Sequence, residues 1–154
     1  MSEDLRYEIK VVANEINFSV FNKWLHIETD FFKKYPDRQI NSLYFDDYNF
    51  SCVKDNLSGI AQRRKYRLRW YGSNEEELSD PIFEIKIKNG RLGSKRYFNV
   101  PELNNKLNNL KIRQIQEIAL SKNKNKKLFF DKDLNPSLIV SYKSNYFENN
   151  NDIR

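Results

Sequence analysis

The sequence predicts an α+β protein whose antiparallel β-sheet packs its apolar side against helices and turns its charged side towards a polar channel. Three observations lead to this prediction. Segments with a period of two are separated by short turns, so most strands pair with their neighbours in the chain. Each segment is apolar on one side and charged on the other. Stretches with a helical period stand between them, and a wide antiparallel barrel can enclose a polar lumen.

The most informative segment covers residues 63–71 and ends at a glycine. Its apolar and aromatic residues alternate with cations, which are Arg63, Lys65, Arg67 and Arg69. Alternation along a strand places these side chains in one row, about 6.6 Å apart. Such a row repels itself and does not fit a hydrophobic core. It therefore predicts a polyanionic partner.

A charged row is also typical of the solvated face of a sheet, and for one strand that alternative stays open. The pattern recurs, however, in two further segments and after a hairpin, at Arg6, Glu8 and Lys10, at Glu84, Lys86 and Lys88, and at Lys95. Solvated faces normally mix uncharged polar residues with both charge signs. Here Arg and Lys dominate with one Glu in each of two strands, which favours a shared binding surface.

Six strands and three or four helices are predicted along the chain. We place the strands at about 5–12, 39–46, 63–71, 82–88, 94–100 and 137–147, and the main helices at about 17–28, 49–57 and 102–121.

Local signals justify the ends of these elements. Asn17 is the expected N-cap of the first helix, and Ser58 with Gly59 ends the second. Residues 35–38 read Tyr-Pro-Asp-Arg and predict a turn. Asn89 with Gly90 predicts a hairpin.

Packing is expected from the apolar faces of the helices. The first helix should bury Phe18, Phe21 and Trp24 or Leu25 in the core, because these residues follow helical spacing. Tyr44, Asp46 and Asp47 are candidates for the mouth of the channel, but for Asp46 or Asp47 capping of the following helix is favoured.

Composition excludes several classes of protein. The 154 residues suit a single domain, and 27 Lys and Arg against 21 Asp and Glu give a net charge of +6, which favours anionic partners. One Cys and one His exclude an internal disulfide and a Cys/His zinc site. No apolar run approaches about 18 residues, so no membrane segment is expected in this chain and a cytoplasmic location is predicted.

Four motifs in order resemble a known family. Residues 35–38, 41–46, 64–72 and 83–86 closely resemble the VTC domain, the catalytic module of vacuolar transporter chaperone polyphosphate polymerases and of many bacterial proteins. This family belongs to the triphosphate tunnel metalloenzymes, together with CYTH-type phosphatases. The resemblance implies a β-tunnel of eight strands, six of them present here, that binds ATP, triphosphate and inorganic polyphosphate. It implies transfer of the γ-phosphate of ATP to a growing polyphosphate chain.

The resemblance also assigns roles by position. It implies catalytic roles for Lys10, Arg67, Arg69 and Lys86, and phosphate binding by Arg6, Arg63, Lys65, Lys88, Lys95 and Tyr142. Mg²⁺ or Mn²⁺ would be held with the help of Glu8 or Glu84, although both acids would also serve simply by pairing with neighbouring cations.

Two departures from the family pattern stand out. Tyr142 is followed by Lys143 and Ser144 where the family has Tyr-x-Arg, so the arginine is absent unless Lys143 or a shifted register replaces it. The chain also ends at residue 154, and residues 1–154 are interpreted as one VTC-type domain lacking the last strands. A fragment, closure of the tunnel by another chain as in a homodimer, and an open half-barrel are the alternatives.

Two other functions stay open beside the polymerase. With water as acceptor the same tunnel is a tripolyphosphatase, and without catalysis it is a module that binds polyphosphate or inositol phosphates. DNA is not expected as a partner, because the aromatic residues alternate onto the face opposite the cations and do not form a stacking platform with them.

Overall fold

The computed structural model describes residues 12, 14–104, 107, 110, 112–121 and 133–149. The described elements occur in the following order: α1 Glu15–Ile27, β1 Phe32–Asp46, α2 Ser51–Leu57, β2 Gln62–Tyr71, β3 Ile82–Asn89, β4 Leu92–Asn99, a 3₁₀ turn Pro101–Leu103, α3 Ile112–Ser121 and β5 Asn135–Glu148. They fall into two compact units, within residues 39–142 and within residues 12–38 with 143–149. None of the described helices is long and apolar enough to cross a membrane.

An antiparallel sheet with the strand order β4-β3-β2-β1-β5 dominates the fold. Its centre is β2, which pairs antiparallel with β1 on one side and β3 on the other. Hydrogen bonds from the side chain of Gln39 to Ser141, and from the hydroxyl of Ser137 to the carbonyl oxygen of Tyr44, show that β5 runs antiparallel to β1. The structure thus confirms the predicted α+β class with an antiparallel sheet, open at β4 and β5 among the described residues.

The apolar face of the sheet forms the core of the first unit. We use the name apolar face for the side that carries Leu43, Phe45, Tyr66, Leu68, Trp70, Phe83, Ile85 and Phe98. Leu103 of the 3₁₀ turn, Ile115 of α3 and Leu134 pack in the same cluster and are at most 1% exposed. The prediction that helices cover the apolar side is therefore confirmed.

The junction between β1 and α2 is held by two adjacent carboxylates. Asp46 accepts hydrogen bonds from the backbone N–H groups of Cys52 (2.9 Å) and Val53 (3.1 Å), and Asp47 accepts one from that of Ser51 (3.0 Å). The first N–H groups of a helix have no partner within the helix. Both acids therefore cap α2, as the sequence favoured.

The second unit contains α1 and the outer parts of β1 and β5. The guanidinium of Arg38 lies over two tyrosine rings, 5.4 Å from the centre of Tyr35 and 4.8 Å from that of Tyr146. These rings meet edge to face at 6.2 Å. Cation–π contacts of this kind hold the two strand segments side by side.

Residues 35–38 are therefore part of a strand and the predicted turn is wrong. The Pro-Asp pair is typical of turns, but β1 continues through Pro36 because Tyr35 and Arg38 pack against β5. A proline is tolerated in a strand where its missing N–H is not needed by a neighbour.

Two predictions about α1 are also wrong. The helix begins at Glu15 after Asn14, and the amide of Asn17 donates to the side chain of Asn14 at 2.9 Å within the first turn. Of its large apolar residues Leu25 is buried, whereas Phe18, Phe21 and Trp24 are about half exposed. Helical spacing indicates an apolar side but not what that side meets.

The predicted helix 102–121 is wrong in its first half. The chain forms a 3₁₀ turn at Pro101–Leu103, and the α-helix begins at Ile112. Leu103, Leu107 and Leu110 still lie against the core. Apolar spacing alone therefore does not show that residues which pack against a core lie on one helix.

The hairpin between β3 and β4 lies one residue later than predicted. Asn89 pairs with Leu92, so the loop is Gly90 and Arg91, and β4 starts earlier than expected. Gly90 has φ of 60°, which suits glycine at the first position of a two-residue hairpin loop. The strand predicted at 5–12 lies outside the described residues, apart from its last position.

Candidate functional site

The register of the four strands β1 to β4 gathers charged and polar side chains on the side opposite the apolar face. We name this side the cationic face, and it carries Ser42, Tyr44, Arg63, Lys65, Arg67, Arg69, Glu84, Lys86, Lys88, Lys95 and Tyr97. Residues directly opposite each other on paired strands share a face and have close side chains. Across the sheet, Tyr44 is opposite Arg67, and Arg67 is opposite Glu84.

Glu84 is the centre of this face. Its side chain is 1% exposed, and its Oε2 atom accepts a hydrogen bond from Nε of Arg67. The same oxygen lies 4.0 Å from Nη1 of Arg69, and Oε1 lies 3.9 Å from Nζ of Lys95. Cations from two strands thus converge on one buried carboxylate, which offsets part of their mutual repulsion.

Arg67 is held on both sides. Besides Glu84, its Nη1 atom lies 3.5 Å from the hydroxyl of Tyr44, and its side chain is 20% exposed. Burial alone would lower the pKa of Arg67, but the hydrogen bond to Glu84 and the negative charge of Glu84 raise this pKa above its usual value. Arg67 therefore carries a permanent positive charge in a fixed orientation.

Arg69 is fixed by different contacts. The centre of its guanidinium lies 5.5 Å from the ring of Tyr71, and its side chain is 18% exposed. Its Nε atom is buried and has no hydrogen-bond partner among the described residues. The same holds for Oγ of Ser42, which is directly opposite on β1, and for Oε1 of Glu84. Such atoms are few in native proteins and call for an explanation.

Arg63 and the predicted lysines of β2 to β4 lie together at one end of the cationic face. Lys65 faces Lys86 across the strands, Lys86 faces Lys95, and Arg63 faces Lys88. Like charges directly opposite each other are unfavourable in a sheet. This end of the cationic face therefore concentrates positive charge, part of which Glu84 offsets through Lys95.

Two predicted residues lie away from the centre. Arg63 donates from Nη1 to the carbonyl oxygen of Ile60 at 2.7 Å, in an exposed position at the start of β2. Tyr142 lies on the edge strand β5 and is 45% exposed. Arg6, Glu8 and Lys10, which were also predicted as site residues, lie outside the described residues.

Ser42 was not among the predicted site residues, and Tyr44 was predicted only as a candidate for the mouth of the channel. Alternation along β1 does set both apart from Leu43 and Phe45, which lie on the apolar face. The missing information was the partner strand and its register, because only these place Tyr44 beside Arg67 and Ser42 beside Arg69. A cross-strand register is a property of the tertiary structure.

The arrangement suits recognition of an oxyanion. An arginine fork matches the geometry of phosphate oxygens and lysine adds mobile charge. The sequence profile described as VTC domain matches residues 5–154. The chain belongs to the VTC family. No curated protein matches the sequence significantly. Membership of the VTC family puts the chain in the triphosphate tunnel superfamily and indicates a polyphosphate-related function in general.

Proposed function

We propose that this VTC domain binds the triphosphate of ATP and inorganic polyphosphate on its cationic face and transfers the γ-phosphate of ATP to the polyphosphate chain. The observation that carries the proposal is the convergence of Arg67, Arg69 and Lys95 on the buried Glu84. Cations oriented in advance lose little freedom when a polyanion binds. Lys65 and Lys86, opposite each other on the same face, extend this surface along the strands.

Little covalent chemistry is required of the protein in such a reaction. A terminal oxygen of the acceptor chain forms a bond to the γ-phosphorus while the bond to the β–γ bridging oxygen breaks, and ADP leaves. Arg67 and Arg69 would hold the β- and γ-phosphates in line and neutralise charge that spreads over their oxygens. We propose the same role for Lys86 and for Lys10, which lies outside the described residues.

A divalent cation is part of the proposal. Among the described residues there is no group of three or more His, Cys, Asp or Glu side chains that would hold an ion by themselves. Oε1 of Glu84 accepts no hydrogen bond from the described residues, and we propose it as one ligand of the ion. Mg²⁺ is commonly held by one or two carboxylates together with substrate phosphates. Glu84 thus fits Mg²⁺ or Mn²⁺ if phosphate oxygens complete the shell, and the ion would neutralise phosphate charge.

Binding is tested by isothermal titration calorimetry with tripolyphosphate and with ATP, in the presence and absence of Mg²⁺. Arg67→Ala and Lys86→Ala should each weaken Kd about tenfold or more, since hydrogen bonds to charged groups contribute about 1.5–3 kcal/mol. Arg96→Ala is the matched control, because Arg96 is a cation of the same sheet opposite Ile85 on the apolar face. Unchanged affinity in both variants would refute the proposal.

Product analysis with labelled ATP separates the reactions. Long phosphate chains with ADP are expected for the polymerase. Release of phosphate alone would assign a tripolyphosphatase, and binding without turnover or metal dependence would assign a binding module.

A further inference from the structure

The cationic face contains a buried hydroxyl that the proposed chemistry has not used. Ser42 is 0% exposed, yet its Oγ atom has no hydrogen-bond partner within the part of the chain that the structure describes. A buried hydroxyl left unpaired costs about 1–3 kcal/mol. Serine at this position is therefore unfavourable for the stability of the unliganded fold, where alanine would fill nearly the same space.

A second donor without a partner stands beside it. Ser42 is directly opposite Arg69 in the register of β1 and β2, and Nε of Arg69 is also buried and unpaired among the described residues. The guanidinium of Arg69 approaches Glu84 through Nη1, at 4.0 Å from Oε2. The Nε atom of Arg69 is thus a candidate donor to a ligand. A hydroxyl and an N–H group on residues that are directly opposite each other, on one side of the sheet, are donors of the kind that bind an oxyanion.

From these two observations we infer that Ser42 is a phosphate-binding residue, whose hydroxyl and Nε of Arg69 donate to the same phosphate group. The inference rests on the proposed function and adds a residue to that site. Arg67 has Glu84 and Tyr44 as partners for its fork. Arg69 and Ser42 are the groups whose hydrogen bonds are completed by the ligand.

Another serine of the sheet provides a control for this inference. Ser94 of β4 is 9% exposed and lies opposite Ile87, on the apolar side of the sheet. Ser94 is therefore a buried serine of the same sheet whose side chain lies on the side opposite the cationic face. Ser94→Ala controls for the general effect of removing a hydroxyl from this sheet.

The test measures Kd for tripolyphosphate and for ATP by calorimetry, together with the Tm of each unliganded variant. Ser42→Ala should weaken both Kd values about tenfold, because it removes a hydrogen bond to a charged group. The Tm should stay the same or rise, since the variant removes an unpaired buried group. Ser42→Thr keeps the hydroxyl and should stay within about threefold of the wild type, and Ser94→Ala should leave Kd unchanged.

Each other outcome has a clear meaning. If Ser42→Ala binds as the wild type while Arg67→Ala and Lys86→Ala do not, the inference fails and the proposed function stands; a buried water would then satisfy the hydroxyl. Equal losses in Ser42→Ala and Ser42→Thr, or a loss confined to ATP, would also overturn it. Absence of tripolyphosphate binding in the wild type would overturn the inference and the proposed function together.

Discussion

Two regions of the first unit are each built around a buried carboxylate, and the two carboxylates have opposite kinds of partner. Asp46, at the end of β1, is 3% exposed and accepts hydrogen bonds from backbone N–H groups at the start of α2. Glu84, in the middle of β3, is 1% exposed and lies among Arg67, Arg69 and Lys95. The first region is complete by itself. The second contains buried polar atoms that have no hydrogen-bond partner in the described part of the chain.

This difference is the reason for proposing that Glu84 belongs to a binding site, whereas Asp46 has a structural role. The partners of Asp46 are fixed dipoles of the backbone, and they bring no net charge that a ligand would neutralise. The partners of Glu84 are the charged side chains of Arg67, Arg69 and Lys95, which outnumber it, so the cluster has a net positive charge. Buried groups that remain unsatisfied next to excess charge are typical of a functional site rather than of a core.

The largest loss of stability in these two regions is expected from Glu84→Gln. The substitution leaves Arg67 without its charge partner in a half-buried position, and breaking a buried ion pair typically destabilises by about 3 kcal/mol or more. We expect the free energy of unfolding, measured by urea denaturation, to fall by about that amount.

Glu77→Gln provides the matched control, because Glu77 is exposed in the loop between β2 and β3 and should change stability by less than about 0.5 kcal/mol. A loss of stability no larger in Glu84→Gln than in this control would show that Glu84 does not balance the cations.

A smaller effect is expected from Asp46→Ala. Loss of a side chain that caps a helix lowers stability by about 1–2 kcal/mol, and Asp46→Asn, which keeps one acceptor oxygen, should lose less. The Kd for tripolyphosphate should be the same in both variants and the wild type, because Asp46 serves the helix. A tenfold change in Kd at retained Tm would instead place Asp46 in the binding site.

The smallest effect concerns pH. A raised pKa means that the contribution of the Arg67 charge to stability is fully present below its usual pKa and is lost only as pH rises through the raised value. We therefore expect the contribution of Arg67 to the free energy of unfolding to stay constant between about pH 6 and about pH 10, because this whole pH range lies far below the usual pKa of arginine.

Arg67→Lys sharpens this test. A lysine usually titrates near about pH 10.4, so the variant should lose more stability than the wild type above about pH 10. Parallel pH profiles of the two proteins, measured by urea denaturation, would contradict the assignment of a permanent charge at this position.

The strands were the most predictable part of the fold. The strand around Arg67 was predicted within one residue. Cations alternate there with Tyr66, Leu68 and Trp70, and a helix would not place these two sets of side chains on opposite sides. The turn predicted around Pro36 failed since contacts of Arg38 with Tyr35 and Tyr146 keep β1 extended. The contact between Arg38 and Tyr146 joins residues that are far apart in the chain, so it cannot be predicted from local turn preference.

The candidate site was predictable in its cations but not in its geometry. Alternation placed Arg67, Arg69 and Glu84 on charged sides of their strands, and their roles in phosphate binding stay predictions. That Glu84 orders two arginines, and that Ser42 stands opposite Arg69, follows from the register. A shift of register by one residue would turn each of these side chains to the other face.

Sequence alone was sufficient for the class of fold, the family and the side of each strand that carries charge, because these depend on spacing within single segments. Tertiary structure was needed to show which charges meet, how deeply Glu84 is buried and which polar atoms still lack a partner. These properties depend on pairing between strands distant in the chain, and the pairing follows from packing of the whole core and not from any one segment.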